Sequence, residues 1–150
     1  TASMIGPVIA GPSKYEAAGV LAPDGKIYFA PCCAHRVLVV DPDADTASMI
    51  GPDIAGPHKY QAAGVLAPDG KIYFAPSFAH RVLVVDPDAD TASMIGPDIA
   101  GPSKYEAAGV LAPDGKIYFA PSFAHRVLVV DPDADTASMI GPVIAGPSKY

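Results

Sequence analysis

The most reactive side chains in this sequence are its only two cysteines, the adjacent Cys32 and Cys33, together with His58. Thiolate sulfur and imidazole nitrogen are the ligands that zinc and softer metals prefer. Against a metal site, the Cys-x-x-Cys spacing is absent, and adjacent cysteines place both sulfurs on one tetrahedral ion only with strain. A disulfide between neighbours would also close a strained ring and staple nothing across the fold. Three readings of Cys32, Cys33 and His58 stand: a metal site, a handle for labelling or cross-linking, and incidental variation. Spacing alone favours the last.

Asp41-Pro42-Asp43-Ala44-Asp45 has the D-x-D-x-D spacing in which alternate carboxylates of a calcium loop point at one hard cation. Its sixth position is Thr46 rather than Gly and its twelfth is Pro52 rather than Glu. Asp and Pro are ordinary hairpin residues, so a turn is the expected role. His35, His80 and His125 recur once per unit beside an arginine, which suits structural or solvent-facing positions. Tyr15, Tyr60, Tyr105 and Tyr150 are expected to pack near the mouth of a central channel, where a ring face is open to ligand stacking. Ser, His and Asp occur in no spacing that selects a nucleophile, and no Gly-rich phosphate loop of G-x-x-x-x-G-K type is present. No enzymatic activity and no cofactor are expected.

What positions these residues is a repeat. The 150 residues divide into three units, 1–45, 46–90 and 91–135, followed by a partial copy, 136–150. Units one and three differ only at Val8/Asp98, Cys32/Ser122 and Cys33/Phe123; units two and three differ only at His58/Ser103 and Gln61/Glu106. Near-identity down to exposed Lys and Asp points to very recent amplification or to deliberate design, and design is the reading adopted. Residues 136–150 match 1–15 letter for letter, including Val143 for Val8, as if a 135-residue period restarted at Thr136.

Within the third unit, the small-residue run Tyr105–Ala112 ends in Pro113-Asp114-Gly115, a hairpin turn: Pro presets φ and Gly supplies positive φ. Pro23, Asp24, Gly25, Asp69, Gly70, Asp114 and Gly115 are therefore read as structural turn residues. Lys116–Ala120 is rich in β-branched and aromatic residues, Arg126–Val130 carries the continuous apolar run Val-Leu-Val-Val, and Thr136–Ile140 is weaker and mixed. These predict four strands, A to D, in each 45-residue unit. Pro and Gly interrupt every stretch long enough for a helix. Four-stranded units of this length in tandem predict an all-β fold, a β-propeller of four-stranded antiparallel blades. Strand A, with Ala107, Ala108 and Gly109, is expected to line the channel. The expected organisation is residues 1–15 as strand D of a preceding blade, then blades at 16–60, 61–105 and 106–150.

The motifs Gly-Val-Leu-Ala-Pro-Asp-Gly-Lys-Ile-Tyr and Arg-Val-Leu-Val-Val-Asp-Pro resemble a kelch-like propeller repeat. In symmetrised form they resemble the computer-designed many-bladed propellers of the Cake-like group. The sequence departs from WD40 repeats in lacking Trp-Asp and from kelch proper in lacking a Gly-Gly pair. The resemblance implies a ring of eight or nine blades.

Three blades leave two open edges, a liability in water. Closure is therefore expected to come from other chains, with a homotrimer forming a nine-bladed ring as the first choice. At each junction 1–15 of one chain and 136–150 of its neighbour would compete for one strand-D position. Up-and-down strand order puts the A–B and C–D turns, with Asp24, Asp41, Asp43 and Asp45, on one face, and Lys14, His35 and Arg36 on the other. A net charge of −6 argues against nucleic acid as a partner, since phosphate binding needs a basic face. No apolar stretch has the length of a membrane span, and residues 1–15 lack the pattern of a signal peptide. The expected function is a self-assembling propeller scaffold. The alternatives are a natural propeller-type binding module for a protein or small ligand, and a designed metal-binding propeller.

Overall fold

The computed structural model describes residues 2–146 and 148–150. Its strands form three four-stranded antiparallel sheets in meander order. The first holds β1 (Val20–Leu21), β2 (Ile27–Phe29), β3 (Val37–Asp41) and β4 (Thr46–Ile50). The second holds β5 (Val65–Leu66), β6 (Ile72–Phe74), β7 (Val82–Asp86) and β8 (Thr91–Ile95). The third holds β9 (Val110–Leu111), β10 (Ile117–Phe119), β11 (Val127–Asp131) and β12 (Thr136–Ile140). No helix occurs among the described residues. The register repeats from blade to blade: Tyr28 opposes Val39, Tyr73 opposes Val84 and Tyr118 opposes Val129.

The turns form as their residues dictate. The Ala22 carbonyl accepts from the Gly25 amide at 3.0 Å and the Ala22 amide donates to Lys26 O at 2.9 Å, with Gly25 at φ +86°. This is a type I turn closed by a left-handed glycine, the usual three-residue hairpin. Asp24 Oδ1 accepts from the Lys26 amide at 2.9 Å, and Oδ2 accepts from the Tyr28 hydroxyl at 3.0 Å. In the C–D turn, Asp41 Oδ1 accepts from the amides of Asp43 (3.1 Å) and Ala44 (3.3 Å). The D-x-D-x-D segment thus builds a hairpin.

Strand A is much shorter than its sequence suggests. The small-residue run Tyr105–Ala112 contributes only Val110–Leu111 to the sheet. Its glycine is small because an aromatic ring of the neighbouring strand occupies the space. A Cβ on Gly109 would lie 2.5 Å from Phe119, and one on Gly64 would lie 2.5 Å from Phe74. Strand B is one residue shorter at each end, Ile117–Phe119, strand C shifts by one residue to Val127–Asp131, and strand D is Thr136–Ile140 as expected.

Alternation along β6 and β7 gives the middle blade two apolar faces. Ile72, Phe74, Leu83 and Val85 pack against Tyr28, Val37 and Val39 of the first blade. Tyr73, Val82 and Val84 pack against Ile117, Phe119, Leu128 and Val130 of the third. Strand D of the third blade is Thr136–Ile140, so residues 136–150 begin inside that sheet. Of the sequence-identical start, Thr1 lies outside the described residues, Ala2–Ile5 form no strand, and Met4 is wholly exposed.

Gly64→Ala should destabilise the fold by about 1–3 kcal/mol, because the new methyl group must displace the buried Phe74 ring. Urea denaturation of the variant beside the parent checks this. An unchanged midpoint would contradict the ring-on-glycine contact.

Candidate metal centre

Residues 58 and 59, in the connection from β4 to β5, are clamped between two B–C loops. The Lys59 amide donates to Cys32 O of the first blade at 3.0 Å. On the other side, the amides of Ser77 and Ala79 donate to Lys59 O at 2.8 and 3.2 Å, and the Phe78 amide donates to His58 O at 3.0 Å. The clamp recurs in the repeat, and residue 58 sits at the apex of a bend with φ +50°, matching +48° at Ser103 and +45° at Ser13. Left-handed backbone is unusual outside glycine, though His tolerates it better than most residues.

That clamp gathers all three sequence-derived candidates. The sulfurs of Cys32 and Cys33 and a ring nitrogen of His58 lie within 4.8 Å of one another. Cys32 Sγ and His58 Nδ1 are 3.8 Å apart. Both cysteines are free; Cys32 is buried and Cys33 half-buried. The His58 ring also leans on Phe78, with centroids 5.5 Å apart at 50°.

Sequence reasoning missed a fourth neighbour. Cys32 Sγ donates to Glu16 Oε1 at 3.0 Å. The same pair recurs as Ser77 with Gln61 (2.6 Å) and Ser122 with Glu106 (3.0 Å), so Cys32 takes over a hydroxyl's hydrogen bond. The signal was available only by aligning units, since residues 16 and 32 of each unit vary within compatible donor and acceptor types. Burial first, then the Glu16 hydrogen bond and charge, then Cys33, push the Cys32 thiol up to about 12. A protonated, buried thiol is the reverse of the depressed-pKa thiolate that nucleophilic catalysis uses. As they stand, these groups are donors of soft ligand atoms rather than an activated nucleophile.

The remaining candidates stay apart from this cluster. His35, His80 and His125 are solvent-exposed, and their carbonyls accept from the amides of Ile54, Ile99 and Ile144, each at 2.7 Å. Tyr60 and Tyr105 do not open onto a channel mouth: both are fully buried, and each hydroxyl donates to an arginine carbonyl, Arg81 O and Arg126 O, at 2.8 Å. Burial between blades leaves no ring face for a ligand to stack on. The acidic face does assemble: burial raises the Tyr28 pKa, and the carboxylates of Asp24, Asp90 and Asp41, drawn from two units, add to the rise.

No family model matches the chain, and comparison with curated proteins finds no relative. Solved structures do match in fold. A streptogramin B lyase superposes with TM-score 0.64 at 16% identity, over 91% of this chain and 43% of that one. Kuenenia stuttgartiensis hydrazine synthase gives 0.63 at 20% identity, over 88% and 36%. The periplasmic gluconolactonase of Pseudomonas aeruginosa gives 0.60 at 16% identity, over 89% and 40%. At such identities the likeness concerns fold alone, and the fold is a β-propeller. The chain spans about two fifths of the length of these neighbours.

Two lysines share the clamp position, and their environment gives a titratable test of it. Lys59 and Lys104 are each 1% exposed and donate from Nζ to a single carbonyl, Gly56 O and Gly101 O, at 2.6 Å. Burial lowers both. Lys104 is pushed down to about 8. An unfolded lysine titrates near 10.4, so between these values the unfolded chain binds more protons and stability rises with pH. Relative to Lys104→Met, the parent should therefore gain stability from pH 8 to about 10. Urea midpoints of both proteins across that range check it, and a constant difference would contradict the buried environment.

Proposed function

We propose that this chain is a designed propeller scaffold whose work is to associate with copies of itself into a closed ring, with no native biochemical activity. The observation that carries the reading is that the two outer blades present the same surfaces that are buried at the internal junctions. Ile72, Phe74, Leu83 and Val85 are all 0% exposed in the middle blade, whereas their counterparts Ile27, Phe29, Leu38 and Val40 on the first blade remain half-buried. On the third blade Tyr118 and Val127 are half-buried, against 0% and 1% for Tyr73 and Val82. Leu21 is 63% exposed on one open face and Val110 66% on the other.

The two open faces are unlike each other and complementary, because each pair of neighbouring blades already joins one to the other. Such a contact is heterologous and runs head to tail; it makes a ring when the rotation closes. Gly51 and Gly96 fit against Ala92 and Ala137 of the following blade, where a Cβ would come within 2.7 Å, Gly6 meets Ala47 of the first blade in the same way at 2.6 Å, and Gly141 has nothing within 4 Å. Covering each open face would bury several large side chains, at roughly 1.5–3 kcal/mol for each one fully buried. A homotrimer of nine blades is the assembly proposed. Design is supported by the near-identity of units at exposed positions.

A propeller-type binding module is the second reading. Grooves of about 550, 600 and 450 Å³ recur on the face that carries the histidines and arginines, one per blade.

Light scattering after size exclusion tests the scaffold reading, with an expected mass three times the 15.3 kDa of one chain. Leu38→Asp on the open face should give a folded monomer, whereas Leu83→Asp, the same residue inside a junction, should unfold the protein. A monomeric parent, or a Leu38→Asp variant that keeps the parent's mass, would overturn it.

A further inference from the structure

We infer that Cys32, Cys33 and His58, with Glu16 beside them, form a binding site for one thiophilic divalent cation of the zinc or cadmium type at the junction of the first and second blades. Aligned over the repeat, the three units differ at only five positions, and the residues at three of them meet here. Incidental variation has no reason to converge across blades: the cysteines lie in the first blade's B–C loop, and the histidine in the connection to the second.

The chemistry of the donors fits. A tetrahedral ion bound at about 2.3 Å to sulfur and about 2.0–2.1 Å to nitrogen separates those two atoms by about 3.6 Å. Cys32 Sγ and His58 Nδ1 stand 3.8 Å apart. Adjacency of the cysteines does not prevent convergence, since both sulfurs already lie within 4.8 Å of the imidazole nitrogen and of each other. Glu16 Oε1 lies 3.0 Å from Cys32 Sγ, beside the three-ligand group rather than within it. On binding, each thiol gives up its proton to solvent and the sulfur lone pair goes to the metal; nothing is oxidised or reduced. The equivalent positions of the repeat hold Ser77, Phe78 and Ser103, and Ser122, Phe123 and Ser148, so the site occurs once in these 150 residues. It lies within one chain, and its success or failure is independent of ring closure.

The experiment uses the reduced full chain and CdCl2, followed by the ultraviolet thiolate-to-cadmium charge-transfer band and by the thermal unfolding midpoint. The band should saturate at one ion per chain, and the midpoint should rise with cadmium. The variants Cys32→Ser, Cys33→Phe and His58→Ser restore residues that the other units already carry, so each is compatible with the fold. Either cysteine variant should abolish the one-to-one band, and His58→Ser should weaken binding by roughly tenfold or more. No band, a stoichiometry other than one, or unchanged affinity in His58→Ser would overturn the site.

Discussion

Every blade must be apolar on both faces and yet present two different faces, and the rest of the structure depends on that constraint. Strand alternation supplies it, because successive residues of one strand point to opposite sides of the sheet. In the middle blade Phe74 and Leu83 point one way while Tyr73 and Val82 point the other, and all four are 0–1% exposed. A bulky branched face meets a face of tyrosine, alanine and valine, so each junction interlocks unlike surfaces. Any residue on a blade face must suit both its own sheet and the neighbouring one, so a change there is felt at a whole junction. The same constraint leaves apolar side chains partly exposed at the ends of a three-blade segment.

The parts of this architecture that arise from local chemistry could be read directly. The Pro23-Asp24-Gly25 turn and its copies form from residues whose φ preferences are built in, and the apolar run of strand C has no other stable use. Strand order alone placed the aspartates of two different turns on one face, and the titration of Tyr28 is sensitive to both. Strand A was misjudged for a tertiary reason. Glu106–Gly109 resembles a strand in composition, but the Phe119 ring claims the space at Gly109, and the Tyr105 hydroxyl is tied to Arg126 O, 21 residues away. Tyr60 was misplaced for a similar reason: its burial depends on a loop of its own blade and on the preceding blade, neither of which is visible from its immediate neighbours.

For the candidate site, residue types were legible and their convergence was not. Cys32 and His58 are 26 residues apart and meet only because the chain crosses from one blade to the next between two B–C loops. No local spacing encodes that crossing, and the Cys-Cys dipeptide by itself argued for incidental variation. Alignment of the repeat units held the missing information in another form. It shows where symmetry is broken, and the fold then shows that most of the broken positions are neighbours.

The substitutions at this junction leave the elements of the fold in place, and this separates the chemistry of the site from the stability of the blade. Cys32 keeps the hydrogen bond to position 16 that serine makes in the other two units. His58 adopts the left-handed backbone of Ser103, and its carbonyl accepts the same loop amide, at 3.0 Å in both cases. The inter-blade core that carries most of the apolar burial contains none of the three residues. A repeat fold of this kind can therefore accept reactive side chains at one connection while the neighbouring connections retain inert ones. The clamp around residues 58 and 59 is what makes the position useful: it is fixed by main-chain hydrogen bonds, which hold whichever side chain is attached.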